Sequence, residues 1–442
     1  MYQAGSWLLV ETSMKDFRQR ELVERARLVI PNGMYGHESV ASLPAGFPQF
    51  FSRADGASIW DADGNKFVDL MCAYGPNLLG YGNAGVEWAA ERQRALGDTS
   101  TGPSEIMVKL AEDFVAMIDH ADWAMFCKNG TDATSMAMVT ARAYRGRRKI
   151  LLARGAYHGA APWNTPGLAG IVAEDRAHVI YFDYNDLNSL ADAIRGHEGD
   201  IAGIFATPFR HEAFANQTEP SLEYAQGVRR VCDELDALLV VDEVRAGFRL
   251  SRDCTWSLLG VRPDLSCWGK VLGNGYPISA LLGAEKARIA AGSIYATGSF
   301  WFSAVPMAAA VETLRQVRET DYLERLTDMA LRFRAGVAVQ AATYGFGVMQ
   351  TGPAQMTQIL FEDDADLRRG FHWVREALEG GLYLHPWHNM FFCSAMTEAD
   401  LEVSLTATDR AFAALKAVGG KLPAQDNAAI LTRIARMAKS AA

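Results

Sequence analysis

Short apolar runs alternate with amphipathic stretches through the middle of the chain. The runs are continuous and rich in branched or aromatic residues, as in strands that are buried on both faces; they occupy residues 149–152, 178–182, 201–206 and 238–241. Apolar residues recur at helical spacing over 133–145 and 222–235, between these runs. The alternation predicts an α/β protein with a mostly parallel sheet that helices cover on both faces.

Both ends of the chain have a different pattern. A charged helical pattern covers residues 14–29, and residues 56–69 predict two short strands around an Asp63-Gly64-Asn65 turn. Beyond about residue 320, helical patterns at 323–342, 367–379 and 398–417 enclose short strands. We therefore expect a large domain over 71–320, and a small α+β domain formed by the N-terminal segment 1–70 together with the C-terminal segment 321–442.

Composition narrows the possible partners. The 442 residues include 21% charged residues and have a net charge of −9, so there is no electrostatic reason to expect nucleic acid. No two of the six cysteines have C-x-x-C spacing, and none lies near a histidine pair, so we predict no metal and a reducing compartment. No apolar run approaches the roughly 20 residues of a membrane helix. Residues 1–10 lack the basic segment of a signal peptide, so we expect a cytoplasmic protein without a membrane partner.

Asp242 is the first candidate functional residue. It directly follows the buried strand predicted at 238–241, at the end of a strand where ligands of open α/β sheets bind. A carboxylate there is costly to bury unless a cation or hydrogen-bond donors meet it. Taken alone, the residue is equally consistent with an acid satisfied by backbone amides.

Lys270 is the second candidate, at the end of the short apolar run 263–270. The two residues are 28 positions apart (270 − 242), about one strand–crossover–strand step, so they can lie on neighbouring strands and face one cavity. Pyridoxal phosphate (PLP) requires an acid for its ring nitrogen and a lysine for its aldehyde. The pair therefore predicts PLP chemistry, in which the displaced lysine becomes the base for the substrate proton.

A phosphate site is predicted at Asn129, Gly130 and Thr131, at the start of the helix that begins near Asp132. Backbone N–H groups at a helix N-terminus bind phosphate, although the same tripeptide is also an ordinary capped turn. Tyr157 follows the next strand and could stack on a flat ring, or could instead be a buried aromatic residue at the sheet edge.

Together these motifs resemble the class III aminotransferases, and within them the glutamate-1-semialdehyde aminomutase-like group. The resemblance extends from about Ile30 to Ala417. It is carried, in order, by residues 60–65 (WDADGN), 74–76 (YGP), 129–133 (NGTDA), 141–147 (ARAYRGR), 155–159 (GAYHG), 242–249 (DEVRAGFR) and 269–270 (GK).

The resemblance implies the fold-type I PLP architecture, with a large PLP-binding domain around a mostly parallel seven-stranded sheet, and a homodimer with active sites at the interface. It implies that Asp242 pairs with the ring nitrogen and that Lys270 holds the cofactor as an internal aldimine. The phosphate would be held by Asn129, Gly130 and Thr131, and the ring covered by Tyr157 next to His158. The hydroxyl that reaches the phosphate from the partner subunit would be Ser299, with Thr297 as the alternative.

The sequence departs from this family at substrate positions. Residues 31–40 contain no arginine, whereas the aminomutase uses one near that segment for its substrate carboxylate, so we do not expect glutamate-1-semialdehyde as substrate. Arg210 or Arg245 could replace that arginine, or could be exposed loop charges. Tyr35, Tyr74 and Trp301 are candidates for the pocket wall, with core packing as the alternative for each.

The combined hypothesis is a PLP-dependent aminotransferase. It would move an amino group from a donor amine or amino acid to a carbonyl acceptor such as a keto acid in two half-reactions, with Lys270, Asp242 and Tyr157 as the catalytic residues. Two alternatives on the same fold are an intramolecular aminomutase and an amino-acid racemase or epimerase, neither of which needs an amino acceptor. A protein that binds the cofactor without catalysing a reaction is the alternative outside enzymes.

Overall fold

The computed structural model describes residues 17–211 and 214–440, and its architecture confirms the α/β prediction. Its α-helices are α1 Phe17–Val29, α2 Ala84–Leu96, α3 Ile106–Met117, α4 Gly130–Arg145, α5 Leu187–Ile194, α6 Leu222–Leu235, α7 Arg288–Ser293, α8 Ala304–Glu319, α9 Tyr322–Tyr344, α10 Arg368–Glu379, α11 Glu398–Val418 and α12 Ala428–Ser440. Its strands are β1 Phe51–Asp55, β2 Ser58–Asp61, β3 Lys66–Asp69, β4 Trp123–Cys127, β5 Lys149–Ala153, β6 Val179–Phe182, β7 Ile201–Ala206, β8 Leu238–Asp242, β9 Leu265–Trp268, β10 Ser279–Gly283, β11 Val348–Thr351, β12 Gln358–Phe361 and β13 Leu382–Tyr383.

The large sheet has seven strands in the order β4-β10-β9-β8-β7-β5-β6. All neighbouring pairs are parallel except those of β10, which runs antiparallel to both β4 and β9. Strands β7 to β10 are buried along their whole length, as expected for a sheet with helices on both faces. Because β8 and β9 are parallel neighbours, the residues that follow them meet at one edge of the sheet.

Strand β10 was absent from the sequence prediction. Its five residues, SALLG, include a glycine and give only a short apolar signal. A side chain at Gly283 would come within 2.1 Å of the Trp123 ring, so the glycine allows β10 to lie against β4.

The two ends of the chain meet in a smaller sheet with the order β1-β2-β3-β13. The predicted hairpin is confirmed by the antiparallel pairing of β2 with β3, and β3 pairs in parallel with β13 from the C-terminal part. The predicted C-terminal helices are confirmed as α9, α10 and α11. The helix predicted from residue 14 is described from Phe17 onward, and residues 14–16 lie outside the described residues. The domain division near residues 70 and 320 stays a prediction.

None of the helices in the described ranges has the length and apolar content that a membrane crossing requires. Among the same residues, no group of three or more His, Cys, Asp or Glu side chains is placed to hold a metal ion. Residues 1–10, which entered the prediction of a cytoplasmic location, lie outside the described part of the chain, and that location stays a prediction.

Arg249, in the loop after β8, ties three segments together. It is completely buried; Nη1 donates to the Phe392 carbonyl at 2.7 Å and Nη2 donates to the Gly75 carbonyl. The guanidinium also lies 4.9 Å from the centre of the Phe391 ring. Burial lowers the pKa of Arg249. The side chain thus connects the loop after β8 to the segment that follows β3 and to the segment that follows β13.

We expect Arg249→Met to destabilise the protein, because it leaves two buried carbonyls without donors at about 1–3 kcal/mol each. The free energy of unfolding in urea should fall by about 3 kcal/mol. Arg195→Met removes an exposed arginine that pairs with Asp192, and should change it by less than about 0.5 kcal/mol. Equal stability of the two variants would contradict the assigned role of Arg249.

Candidate active site

A cavity of about 360 Å³ opens at the carboxyl ends of β8 and β9, where α/β sheets commonly bind ligands. The seven residues predicted to bind the cofactor from this chain line it, together with the substrate candidate Arg245, although they come from segments far apart in the sequence. The seven residues are Asn129, Gly130, Thr131, Tyr157, His158, Asp242 and Lys270.

Asp242 ends strand β8 and is 7% exposed. Its Oδ2 lies 2.8 Å from Nδ1 of His158, and its Oδ1 accepts from the Val244 N–H at 3.1 Å. The His158 ring is buried, and Thr134 Oγ1 donates to the His158 carbonyl at 2.6 Å. Its other ring nitrogen, Nε2, is buried without a partner among the described residues. These contacts hold the carboxylate in one orientation at the cavity wall.

Lys270 follows strand β9 in the left-handed backbone region, with φ of +43°, and its Nζ donates to the Tyr74 carbonyl at 2.7 Å. Burial lowers the pKa of Lys270 to about 7, and the Arg245 and Arg249 guanidinium groups contribute to the same shift. A large fraction of the Lys270 amine is therefore unprotonated at neutral pH. A side chain at Gly75 would come within 3.2 Å of Lys270 Cδ, so this glycine leaves room for the lysine.

The turn before α4 presents unpaired donors to the cavity. The Asp132 carboxylate accepts from the Asn129 N–H at 2.8 Å, which caps the helix. In contrast, the N–H groups of Gly130 and Thr131 have no acceptor among the described residues. Thr131 Oγ1 would lie 2.6 Å from a Cβ on Gly159, whose φ is +114°, so the glycine lets the two segments approach.

Sequence reasoning did not single out Lys128, which also lines the cavity. Its Nζ donates to the Pro277 carbonyl at 3.0 Å, and its carbonyl accepts from Ser279 Oγ at 3.3 Å. Burial lowers the pKa of Lys128. The sequence feature that could have identified Lys128 is its position directly before the Asn129-Gly130-Thr131 turn.

His211 is a second residue that the sequence did not indicate. It lines the cavity, and its Nδ1 lies 3.2 Å from the Phe209 carbonyl. Burial and the nearby Arg245 hold the pKa of His211 well below its usual value, so the ring is neutral. Its position in the loop after β7 carries no motif that could have identified it.

The other predicted residues lie in different places. Tyr157 is 40% exposed at the cavity, and burial raises its pKa. Tyr74 meets Lys270 through its carbonyl and donates its hydroxyl proton to the His37 carbonyl at 2.9 Å. In the described part of this single chain, six candidates are not among the residues that line the cavity: Tyr35, Tyr74, Arg210, Thr297, Ser299 and Trp301.

Pyridoxal phosphate fits the residues at this cavity. The fixed carboxylate of Asp242 suits a protonated ring nitrogen, and the weakly basic amine of Lys270 suits an aldehyde. The free N–H groups at the start of α4, with Lys128 beside them, suit a phosphate dianion.

Comparison with known proteins agrees with this geometry. The family model "Aminotransferase class-III" matches residues 42–398. The chain is 63% identical over 398 residues to the aminopentol aminotransferase of Sphingopyxis macrogoltabida, covering 90% of this chain and 94% of that protein. It is 31% identical over 409 residues to the 3-aminobutyryl-CoA aminotransferase of Cloacimonas acidaminovorans, covering 91% and 98%.

A solved structure is similar over nearly the same length. The FumI protein of Sphingopyxis sp. MTA144, in its PLP internal aldimine form, superposes with a TM-score of 0.91 at 62% identity. The similarity covers 92% of this chain and 98% of that one.

The lowered pKa of Lys270 leads to a prediction for the cofactor-free protein. Modification of its amine by acetic anhydride should be half-maximal near pH 7, because only the neutral amine reacts, instead of near the ordinary value of 10.5. Mass spectrometry of the digested protein measures this profile, with the peptide that contains the exposed Lys421 as reference.

The same shift links Lys270 to stability. Since its folded pKa lies below the unfolded value, its contribution to stability is present above about pH 10.5 and is lost as pH falls through about 7. A modification profile of Lys270 identical to that of Lys421 would contradict the assigned environment.

Proposed function

Because the chain belongs to the class III aminotransferases, we propose that it transfers the amino group of an aminopentol-like amine to a 2-oxo acid. The family match and the relatives establish PLP-dependent amino-group transfer itself. The identity of the donor is supported by one observation, the 63% identity over 90% of the chain with an aminopentol aminotransferase. The reaction needs a carbonyl compound to receive the amino group, and we propose a 2-oxo acid for this role.

The proposed roles of the cofactor-binding residues follow from their contacts. When bound, pyridoxal phosphate supplies an electron sink for the carbon that loses a proton. Asp242, oriented by His158, would hold a proton on the ring nitrogen. The N–H groups of Gly130 and Thr131, with Asn129 at the same turn, would bind the phosphate, and Tyr157 would cover the ring.

Lys270 would move the proton. Its amine has a pKa near 7, so Nζ can take a proton from the reacting carbon of the donor and return it without a large energetic cost in either direction. The hydrogen bond from Nζ to the Tyr74 carbonyl shows a position that the displaced amine can occupy.

We also propose a homodimer, supported by an exposed apolar surface beside the segment that carries Ser299. Tyr295 is 94% exposed, Phe300 64% and Leu96 82%. The segments that carry Leu96 and Phe300 are adjacent, because the Asp98 carbonyl accepts from the Ala304 N–H at 3.1 Å. If a second copy of the chain covered this surface, Ser299 of the first chain would approach the cavity of the second copy.

This proposal predicts that Phe300→Asp weakens self-association. A charge buried at a dimer interface without a partner is costly, so the dimer dissociation constant should rise by about 100-fold or more. Sedimentation velocity across a dilution series measures it, and Leu258→Asp serves as the control at an exposed leucine between β8 and β9. A wild-type protein that sediments as a monomer at micromolar concentration would disprove the dimer.

The finer placement in the glutamate-1-semialdehyde aminomutase-like group stays a prediction. Residues 31–40 contain no arginine, and the 63% identical relative is named for amino-group transfer. We therefore propose that the amino group is transferred between two substrates, and not rearranged or racemised within one substrate. Dependence on an amino acceptor separates these reactions.

The donor is tested with PLP-loaded protein and aminopentol in a single turnover. Without acceptor, the cofactor absorbance should change to that of pyridoxamine phosphate with one equivalent of amine consumed, and pyruvate should then allow repeated turnover. Asp242→Asn should slow the half-reaction at least about 100-fold, because it removes the charge that pairs with the ring nitrogen.

Three results would contradict this proposal. Net turnover of the amine without any acceptor would indicate an aminomutase or a racemase. A cofactor spectrum that no amine changes would indicate binding without catalysis. Conversion of simple amino acids, with no response to aminopentol, would leave the aminotransferase in place and exclude the proposed donor.

A further inference from the structure

Arg245 is a charged residue on the cavity wall that contributes to the lowered pKa of Lys270 and has no further role in the reaction described above. It lies three residues after the end of β8 and lines the same cavity as Asp242 and Lys270. Its side chain reaches the loop between β13 and α11. There Nη1 donates to Asn389 Oδ1 at 2.6 Å and lies 3.3 Å from His388 Nε2. Of the two alternatives that the sequence left open for Arg245, an exposed loop charge does not agree with these contacts.

Both partners of Nη1 are neutral acceptors. Nδ1 of His388 lies 2.6 Å from the Asn389 carbonyl, which can only accept, so the ring proton is on Nδ1 and Nε2 accepts from Arg245. Burial holds the pKa of His388 well below its usual value, which keeps the ring neutral. The guanidinium is thus held in place without being neutralised.

Half of the guanidinium is available to a ligand. Among residues 17–211 and 214–440, no carboxylate lies within ion-pair distance of Arg245, and neither Nε nor Nη2 has a hydrogen-bond acceptor. Arg249 differs, because both of its Nη atoms are satisfied by backbone carbonyls. Burial lowers the pKa of Arg245 to about 10, so the group stays charged at neutral pH.

The surrounding charges favour an anion at this position. The ionisable side chains close enough to Arg245 to interact with its charge are Lys270, Tyr157, His37, His211, His388 and Asp242. The acid among them, Asp242, is already hydrogen-bonded to His158. A buried positive charge without a counter-ion is costly, and a bound carboxylate removes that cost.

We propose that Arg245 is the carboxylate site for the 2-oxo acid acceptor, which Nε and Nη2 bind in a bidentate pair while Nη1 stays on Asn389 and His388. The inference rests on the proposed function for the presence of a separate acceptor. A donor that carries hydroxyl groups but no carboxylate leaves the arginine unpaired. Arg245 then selects the acceptor, whereas the rest of the cavity serves both substrates.

The test compares pyruvate with methyl pyruvate, which has the same ketone but no negative charge. Protein loaded with pyridoxamine phosphate reacts with either compound in one half-reaction, so no amino donor is needed. Arg245→Met should lower the second-order rate constant of the half-reaction with pyruvate by about 30-fold or more. The reason is that hydrogen bonds to a charged group are worth about 1.5–3 kcal/mol each. Loss of Arg245 also removes its effect on the pKa of Lys270, which acts alike with both compounds, so the loss of rate with pyruvate should exceed the loss with methyl pyruvate by about 10-fold or more. Arg245→Lys should restore part of this difference.

A structural role would give a different result, and Asn389→Ala provides the matched control. Asn389→Ala removes the acceptor of Nη1 but keeps the charge of Arg245. If Arg245 had only a structural role, Arg245→Met and Asn389→Ala should lower the rate equally, and equally with pyruvate and methyl pyruvate. Binding of propanoate, which cannot react, is measured by saturation-transfer NMR with propanamide as the neutral comparison. Wild-type protein should bind propanoate selectively, and Arg245→Met should abolish this binding.

Two outcomes would overturn the carboxylate site: equal loss of rate with pyruvate and methyl pyruvate, or propanoate binding that survives in Arg245→Met. Neither outcome depends on which amine is the donor. Failure of aminopentol as donor, with the pyruvate selectivity intact, would instead reject the proposed donor and leave the site standing.

Discussion

The candidate site depends on keeping a primary amine inside the protein with little positive charge. Lys270 lies at the end of a buried strand, and two guanidinium groups on the loop after the neighbouring strand add their field to the cost of burial. At neutral pH the amine is therefore close to equal populations of its two protonation states. An aldehyde-binding lysine that must later accept and return a proton needs that property, and no single neighbour produces it.

The fold provides this environment by bringing three parts of the chain to one edge of the sheet. Strands β8 and β9 are parallel neighbours, so Asp242 and Lys270 emerge side by side. The loop after β8 then carries Arg245 and Arg249, which reach segments of the chain about 140 residues further on. The small domain is therefore held against the site by the same arginines that set its electrostatics, and its packing and its chemistry are coupled.

Amino-group transfer asks one cavity to accept two substrates of different charge. The cofactor-facing groups act alike on both, because each substrate must present its reacting carbon to the same lysine. Discrimination has to come from the rest of the wall, where Arg245 is the cation held in place by neutral acceptors. Arg245 therefore has two roles, since its charge lowers the pKa of Lys270 for both substrates and its free donors select the acceptor.

The sequence by itself determined the five parallel strands of the large sheet, half of the described α-helices, and the meeting of Asp242 with Lys270. Short continuous apolar runs of branched residues are typical of strands covered on both sides, and a 28-residue step is long enough for one strand–crossover–strand unit that brings consecutive strand ends together. Tertiary structure decided the rest: the antiparallel strand β10, the contact between His158 and Asp242 across 84 residues, and the direction of Arg245 towards Asn389 across 144. Periodicity reports which face of an element is buried, but the partner of a polar side chain in a loop depends on which distant segment packs beside it. That choice is made only when the whole chain has folded.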